Sequence, residues 1–365
     1  MFKTKQAQNP ILNSNLPLFS LLCLMVVIYL GFVVNYWFLL FGLLIPFSFR
    51  KIKMNKWQTM LIVSLLLTFI LLAVFANQFS LFKLISFGKP IRNAMLNFLD
   101  GHYDKEIASF IKLILFNVKS DDTWIFYKQT VDLGIVWLIC ISGFHVSLLA
   151  RIIRFFFKKK PRVGKYISIF IISFYSLLLN FSYGSIRVLL KLCFDWVFKK
   201  CEVKQYDRLG FIGIIICLLN PICCQSYGFL LSLIVSATTY FVMSLELNNK
   251  LIRSITINIL CFLITIPFVV NMNHKISLLT FVNAFVFTYF SSFIFLYFFI
   301  FAWMPFMAVI HYGLMIASYV LIGNISFSNI YIYSTEWPIW LDFVYYLIGI
   351  IVFKVVYLIV YNNKI

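Results

Sequence analysis

A chain of 365 residues that is 62% hydrophobic and 12% charged has too few charges for a water-soluble domain, which carries about 25%. Lys and Arg outnumber Asp and Glu 31 to 12, a net charge of +19, which points to an anionic partner or to an asymmetric membrane topology. The composition excludes a soluble globular enzyme and directs the reading to helices solvated by lipid.

The first apolar run, 18–34, approaches the roughly 20 residues of a membrane span and lacks a small-residue cleavage site, so it reads as a retained helix. Further spans are predicted at 57–76, 133–153, 165–182, 209–224, 227–247, 254–271 and 340–361. Runs 37–49 and 186–198 are short for a bilayer and read as re-entrant or tilted half-helices, while 276–323 holds two spans. The fold class is all-α, a polytopic integral membrane bundle of about 10–12 spans.

Residues 77–130 interrupt this series. Ile91, Ala94, Met95, Phe98 and Leu99 repeat at helical spacing, as do Ile107, Phe110, Ile111, Ile114 and Leu115. Each set predicts an amphipathic helix on the membrane surface or against the bundle, with the turn between them at 100–104. Three parts follow: transmembrane helices over 1–76, an outer amphipathic segment over 77–130, and a transmembrane core over 131–365.

The basic residues fall in alternate loops. Arg50, Lys51, Lys53 and Lys56 form one group, Arg151 to Lys165 a second, Lys199, Lys200, Lys204 and Arg208 a third, and Lys250 with Arg253 a fourth. All lie on one side if both termini are cytoplasmic, which makes most of the net charge a topology signal.

Several chemistries find no residues. The eight cysteines form no C-x-x-C pair, and the histidines 102, 145, 274 and 311 are too far apart for a local ligand set, so neither a thiolate nor a histidine metal site is expected. Gly88-Lys89 and Gly164-Lys165 lack the upstream glycine of a phosphate-binding loop. No catalytic residues and no cofactor are expected.

Charges inside spans are costly and mark function or special accommodation. Arg187, Lys191 and Asp195, at spacing four, share one helical stripe that should face a polar interior. The residues leave open phosphate contacts by Arg187 and Lys191, or a Lys191–Asp195 ion pair beside a snorkelling Arg187. Ser142 and His145 share a face of another helix, with Gly143 permitting a close crossing or a break. With no carboxylate to orient His145, a hydrolase dyad is not expected.

In chain order, these residues resemble the ComEC competence family of DNA-internalisation channels. Gly134 to Val146, GIVWLICISGFHV, is similar to the family's G-x-x-H-L-L-A-x-S-G-L-H-V through Gly134, Ser142, Gly143 and His145, with Trp137 in place of the first His. Ser182 to Lys191, SYGSIRVLLK, resembles the small-residue turn and arginine-bearing helix, placing Ser185 and Arg187. Pro221 with Gly228 to Ser232 resembles P then G-F-Q-L-S, with Leu230 replacing Gln. Thr265 to Pro267 and Ile276 to Asn283 resemble T-x-P and I-S-x-x-x-x-x-N.

The resemblance covers about residues 18 to 361 and implies a reduced form, without the family's OB-fold and metallo-β-lactamase-like domains. It makes 131–365 a competence-type channel core and implies passage of single-stranded DNA through the bacterial cell membrane. Ser142, Gly143, His145, Ser185, Arg187, Lys191 and Asp195 are then candidates for the DNA path, with Gly134, Gly228, Ser232, Pro267 and Asn283 supporting it. Its implied partners are membrane lipid, a DNA receptor, a separate nuclease and a cytoplasmic ATP-driven motor. Two other classes share the composition: a small-solute transporter of nucleoside type, and a non-conducting member of the same family.

Overall fold

The computed structural model describes residues 17–44, 56–74, 88–135, 143–201, 203, 205–245, 249–327, 329–333, 335 and 337–362. These form the expected all-α fold. Its α-helices are α1 (Pro17–Val33), α2 (Lys56–Val74), α3 (Gly88–His102), α4 (Lys105–Phe116), α5 (Trp124–Asp132), α6 (Gly143–Phe156), α7 (Pro161–Leu178), α8 (Tyr183–Lys200), α9 (Gln205–Leu219), α10 (Tyr227–Ser244), α11 (Lys250–Asn273), α12 (Thr280–Phe301), α13 (Ala308–Phe327) and α14 (Ile339–Asn362). Short 3₁₀ turns punctuate them. Two three-residue strands, β1 (Lys275–Ser277) and β2 (Tyr331–Tyr333), pair antiparallel with Ile276 opposite Ile332.

Four segments among the described residues are long and apolar enough to cross a membrane: Tyr227–Ser244, Lys250–Asn271, Thr280–Phe301 and Pro305–Phe327. Only 11% to 33% of each is buried inside the protein, so most of their apolar surface needs an apolar solvent. Phe306 and Val309, 83% and 84% exposed, are side chains that lipid rather than water accommodates. Shorter apolar helices at Leu21–Gly31 and Val63–Ala73 lie within the runs predicted at 18–34 and 57–76, and Ile339–Gly349 overlaps the one predicted at 340–361.

Three predicted spans take another form. The run 133–153 does not begin as helix: α5 ends at Asp132, and Gly134, at φ +69°, turns the chain. The Gly134 N–H donates to the Val131 carbonyl and the Ile135 N–H to that of Thr130, a Schellman closure that favours glycine. Residues 136–142 lie outside the described residues, and α6 is described from Gly143. The half-helix expected at 186–198 is instead the 18-residue α8, because Tyr183 to Ser185 and Lys199 with Lys200, which bounded the apolar run, continue the helix. The run 209–224 breaks after Leu219, where Asn220 is extended and Pro221 opens a 3₁₀ turn.

The chain divides into two compact units. One comprises residues 1–81, 196–267 and 337–365; the other comprises 82–195 and 268–336. In the first, α1 packs on α9 at a small-residue stripe. A methyl group added at Gly210 would lie 2.7 Å from the Leu18 carbonyl oxygen, and one at Gly213 would overlap the Leu22 side chain. Asp207, in the first turn of α9, accepts a hydrogen bond from the Leu18 N–H, an otherwise orphaned donor at the start of α1.

Within α11, Pro267 has no N–H to give the Leu263 carbonyl four residues earlier. Tyr345 supplies the missing donor, its hydroxyl 2.6 Å from that oxygen, and the neighbouring Tyr346 donates to the Ile264 carbonyl at 2.9 Å. These two bonds tie α14 to the proline turn of α11. Tyr345→Phe should therefore lower the stability of the purified protein by ~1 kcal/mol. Detergent-titrated unfolding checks this, with Tyr333→Phe on an exposed strand position as the unaffected comparison.

The second unit is organised on α4. Its residues Ile107–Phe116 are almost all buried, packed against α12 and α13. Of the two alternatives for the amphipathic pair, α4 takes the bundle and α3 stays largely exposed, burying Gly88 and Leu99. The Tyr103 hydroxyl donates to the Ala302 carbonyl at 2.9 Å and the Tyr175 hydroxyl to that of Leu115 at 2.8 Å, fixing both ends of this core. Lys112 on α4 pairs with Asp100 on α3.

At the other end of α4, Lys105 lies 3.0 Å from Asp122, which also accepts from the Ser109 hydroxyl. The Lys105 hydrogen bond, helped by Ser109, holds the Asp122 carboxyl below its ordinary value. Because the folded value is the lower one, this contact stabilises above the ordinary carboxylate range and is lost as pH falls through the depressed value. Acid unfolding followed from pH 6 downward should show a small loss that Asp122→Asn removes.

Candidate functional site

The turn between α7 and α8 sets up the site. Asn180 and Phe181 both have positive φ, 48° and 52°. The Asn180 N–H donates to the Leu177 carbonyl and the Phe181 N–H to that of Ser176, closing α7 with asparagine where glycine is usual. Two successive left-handed residues without glycine are costly and persist only where surroundings hold them. The chain reverses here and enters α8 through Ser182, whose carbonyl accepts from the Ser185 hydroxyl at 2.8 Å and whose own hydroxyl donates to Ser185 Oγ at 3.1 Å.

Arg187 lies one turn into α8 and is half-buried. Its guanidinium occupies the space beside Gly143 at the start of α6. A methyl carbon added at Gly143 would lie 2.9 Å from Arg187 Nη2 and 3.1 Å from the Gly184 carbonyl oxygen. The two glycines thus bring the backbones of α6 and α8 together and leave the arginine head against bare peptide. Of the two alternatives at Gly143, a close crossing or a break, the structure shows the close crossing.

His145, two residues further along α6, is buried, its ring 4.8 Å from that of Phe295 on α12 and 5.5 Å from that of Phe144. Ser185 is buried, Lys191 is exposed and Asp195 is half-buried. Ser142 and Trp137 lie outside the described residues.

A second group forms where α5, β1 and α12 meet. The Thr280 hydroxyl lies 2.8 Å from the Ser277 carbonyl and 3.2 Å from that of Leu133, and it fills the space a side chain at Gly134 would need. Lys275 and Asp132 form an ion pair at 2.6 Å, with both side chains mostly buried. Ser277 Oγ and Asn283 Nδ2 are buried with no hydrogen-bond partner among the described residues. Gly134 therefore packs against Thr280, in the first turn of α12 with Asn283, across a separation of well over a hundred residues.

The remaining motif positions lie in the other unit. Pro267 is buried at the α11 turn, and the Ser232 hydroxyl donates to the Phe229 carbonyl. Gly228 is exposed, and a side chain there would meet only Ser226 Oγ at 3.6 Å, so packing gives no reason for a glycine.

Sequence reading missed Thr280, Lys275 and Asp132, which carry no local motif. It also passed over His311. That ring is fully buried among Tyr103, Tyr297 and Phe298, at centroid distances of 5.3 to 5.5 Å. Only its position inside a long apolar run marked it.

An all-α chain whose described residues include four helices long and apolar enough to cross a membrane, each mostly unburied within the protein, defines a polytopic helical membrane protein. Residues 116–359 match the family described as Competence protein, and the chain belongs to that family. It is 22% identical over 254 residues to a Mycoplasma pneumoniae protein described only as uncharacterized, covering 70% of this chain and 67% of that one. It is 26% identical over 187 residues to an uncharacterized Mycoplasma genitalium protein, covering 51% of this chain and 49% of the other. No solved structure matches the chain.

Proposed function

We propose that this competence-family membrane protein conducts single-stranded DNA across the bacterial cell membrane, along a path past Arg187 at the α6–α8 crossing. The observation that carries this reading is the arginine head seated against the bare backbone of Gly143 and Gly184. A strand brings one negative charge per nucleotide, which hydrocarbon cannot solvate, so its path must offer cations, hydroxyls and water. Arg187 offers the first and Ser182 with Ser185 the second. The buried polar atoms of Ser277 and Asn283 support a polar interior in the same unit.

In this reading Ser142, His145, Lys191 and Asp195 border the path, and the protein is a conduit rather than an enzyme. Both termini and the basic loops are cytoplasmic. A separate receptor delivers DNA, a separate nuclease produces the single strand, and an ATP-driven motor pulls it inward.

The test is uptake of labelled DNA by the organism carrying the gene and by its deletion strain. Deletion should remove nuclease-protected DNA from the cell while leaving surface-bound DNA in place. Unchanged internalisation would overturn the channel reading, and accumulation of labelled nucleosides in proteoliposomes holding the purified chain would assign solute transport instead.

A further inference from the structure

The first unit contains a cluster of thiols that takes no part in the proposed DNA path. Cys217 lies in the last turns of α9, and Cys223 and Cys224 lie in the 3₁₀ turn Pro221–Gln225 that follows; all three are fully buried. Spacings of six and one carry no metal-ligand signature, and the turn is what unites them. Asn220 is extended, Pro221 begins the tight turn, and the Cys223 N–H donates to the Asn220 carbonyl, folding the turn back over the end of α9. Cys217 Sγ lies 3.7 Å from Cys223 Sγ and 3.7 Å from Cys224 Sγ, and all three sulfurs are within 4.8 Å of one another.

We propose that these three sulfurs form a binding site for a thiophilic d10 cation, Cu(I) or Zn(II). A metal about 2.3 Å from each sulfur requires sulfur–sulfur edges of about 3.8 Å in tetrahedral and about 4.0 Å in trigonal geometry. Two of the observed edges agree with these within a few tenths of an ångström. The sulfurs are well beyond the roughly 2.05 Å of a disulfide. Among the described residues the cluster contains no carboxylate or imidazole, and a sulfur-only set selects soft cations over Mg²⁺ or Ca²⁺, which take oxygen.

Loading forms three metal–sulfur bonds as the thiol protons leave to solvent, so affinity rises with pH. Three thiolates around Zn(II) leave one net negative charge and around Cu(I) two, so the buried setting favours Zn(II) unless one thiol keeps its proton. The metal would clip the turn before α10 to the end of α9. This is a structural role, independent of whether the protein conducts DNA.

The full chain, purified in detergent with reductant and freed of metal, is titrated separately with Zn(II) and with Cu(I) against chromophoric chelators. About one equivalent of either metal should bind. Loss of a ligand in Cys217→Ser or Cys224→Ser should weaken binding by more than the ~10–100-fold that outer-shell changes cost. Replacement of the exposed Cys193 and Cys201 by serine should leave binding unchanged. X-ray absorption should give sulfur neighbours at about 2.3 Å.

A second readout needs no variant: bound metal should slow alkylation of Cys217, Cys223 and Cys224 at least tenfold, and leave Cys193 unaffected. Equal binding by the wild type and the triple serine variant would overturn the site. So would failure to take up either metal, or a disulfide formed from the cluster in its place.

Discussion

Truncation of Phe110 to alanine should destabilise the second unit by ~3–5 kcal/mol, as expected for a large buried aromatic. The side chain is fully buried on α4, and its ring meets those of Phe126 at 5.3 Å, Phe298 at 5.8 Å and Tyr319 at 6.0 Å, the first two edge-on. Each such pair adds ~0.5–1.5 kcal/mol beyond area burial, so one truncation removes contacts to α5, α12 and α13 together. The surroundings cannot collapse freely, because the Tyr103–Ala302 and Tyr175–Leu115 bonds hold the neighbouring elements at both ends of the helix. Phe306→Ala, at a site 83% exposed, should change stability by no more than ~0.5 kcal/mol. Unfolding of both variants in mixed detergent measures the difference. Equal effects would mean that α4 is not the core of its unit.

The contrast between these phenylalanines marks how far the sequence could be read. Lipid imposes uniform apolarity, so α10, α11, α12 and α13 are plain in the composition of their segments. For the same reason Phe110 and Phe306 look alike until packing separates them. Helical spacing in Ile107 to Leu115 gave the inward face of α4 but not what covers it, and the covering helices come from residues far along the chain. Gly134 ends α5 at the start of a predicted span, because its closure depends on backbone hydrogen bonds rather than on hydropathy. Conversely, α8 runs from Tyr183 to Lys200, beyond the polar residues that bounded the run at 186–198, since polar side chains do not interrupt backbone bonding. At the site, the order of motifs singled out Gly143 and Arg187. That the guanidinium lies against the glycine is a tertiary fact that spacing could not supply. Thr280 and the Asp132–Lys275 pair were illegible for the same reason.

Removal of the Arg187 guanidinium should reduce internalised DNA by ~10–100-fold, the loss of one charge-assisted phosphate contact worth ~1.5–3 kcal/mol. The size of the effect rests on placement. An arginine on a lipid-facing surface would snorkel, and its loss would be nearly silent. Here the head is half-buried beside Gly143, at the close approach of α6 to α8, rather than on a lipid-facing surface. Arg187→Lys should recover part of the uptake, because the charge remains while the two-pronged donor geometry is lost. Gly143→Ala separates placement from charge. The added methyl would sit 2.9 Å from Arg187 Nη2 and 3.1 Å from the Gly184 carbonyl, so the guanidinium must move or the helices must part, at ~1–3 kcal/mol. If Arg187 acts on the strand, Gly143→Ala should lower uptake while membrane abundance stays near wild type, and the double variant should be no worse than Arg187→Ala. Additive losses would make the two residues independent. Normal uptake by Arg187→Ala at normal abundance would take the α6–α8 crossing off the DNA path.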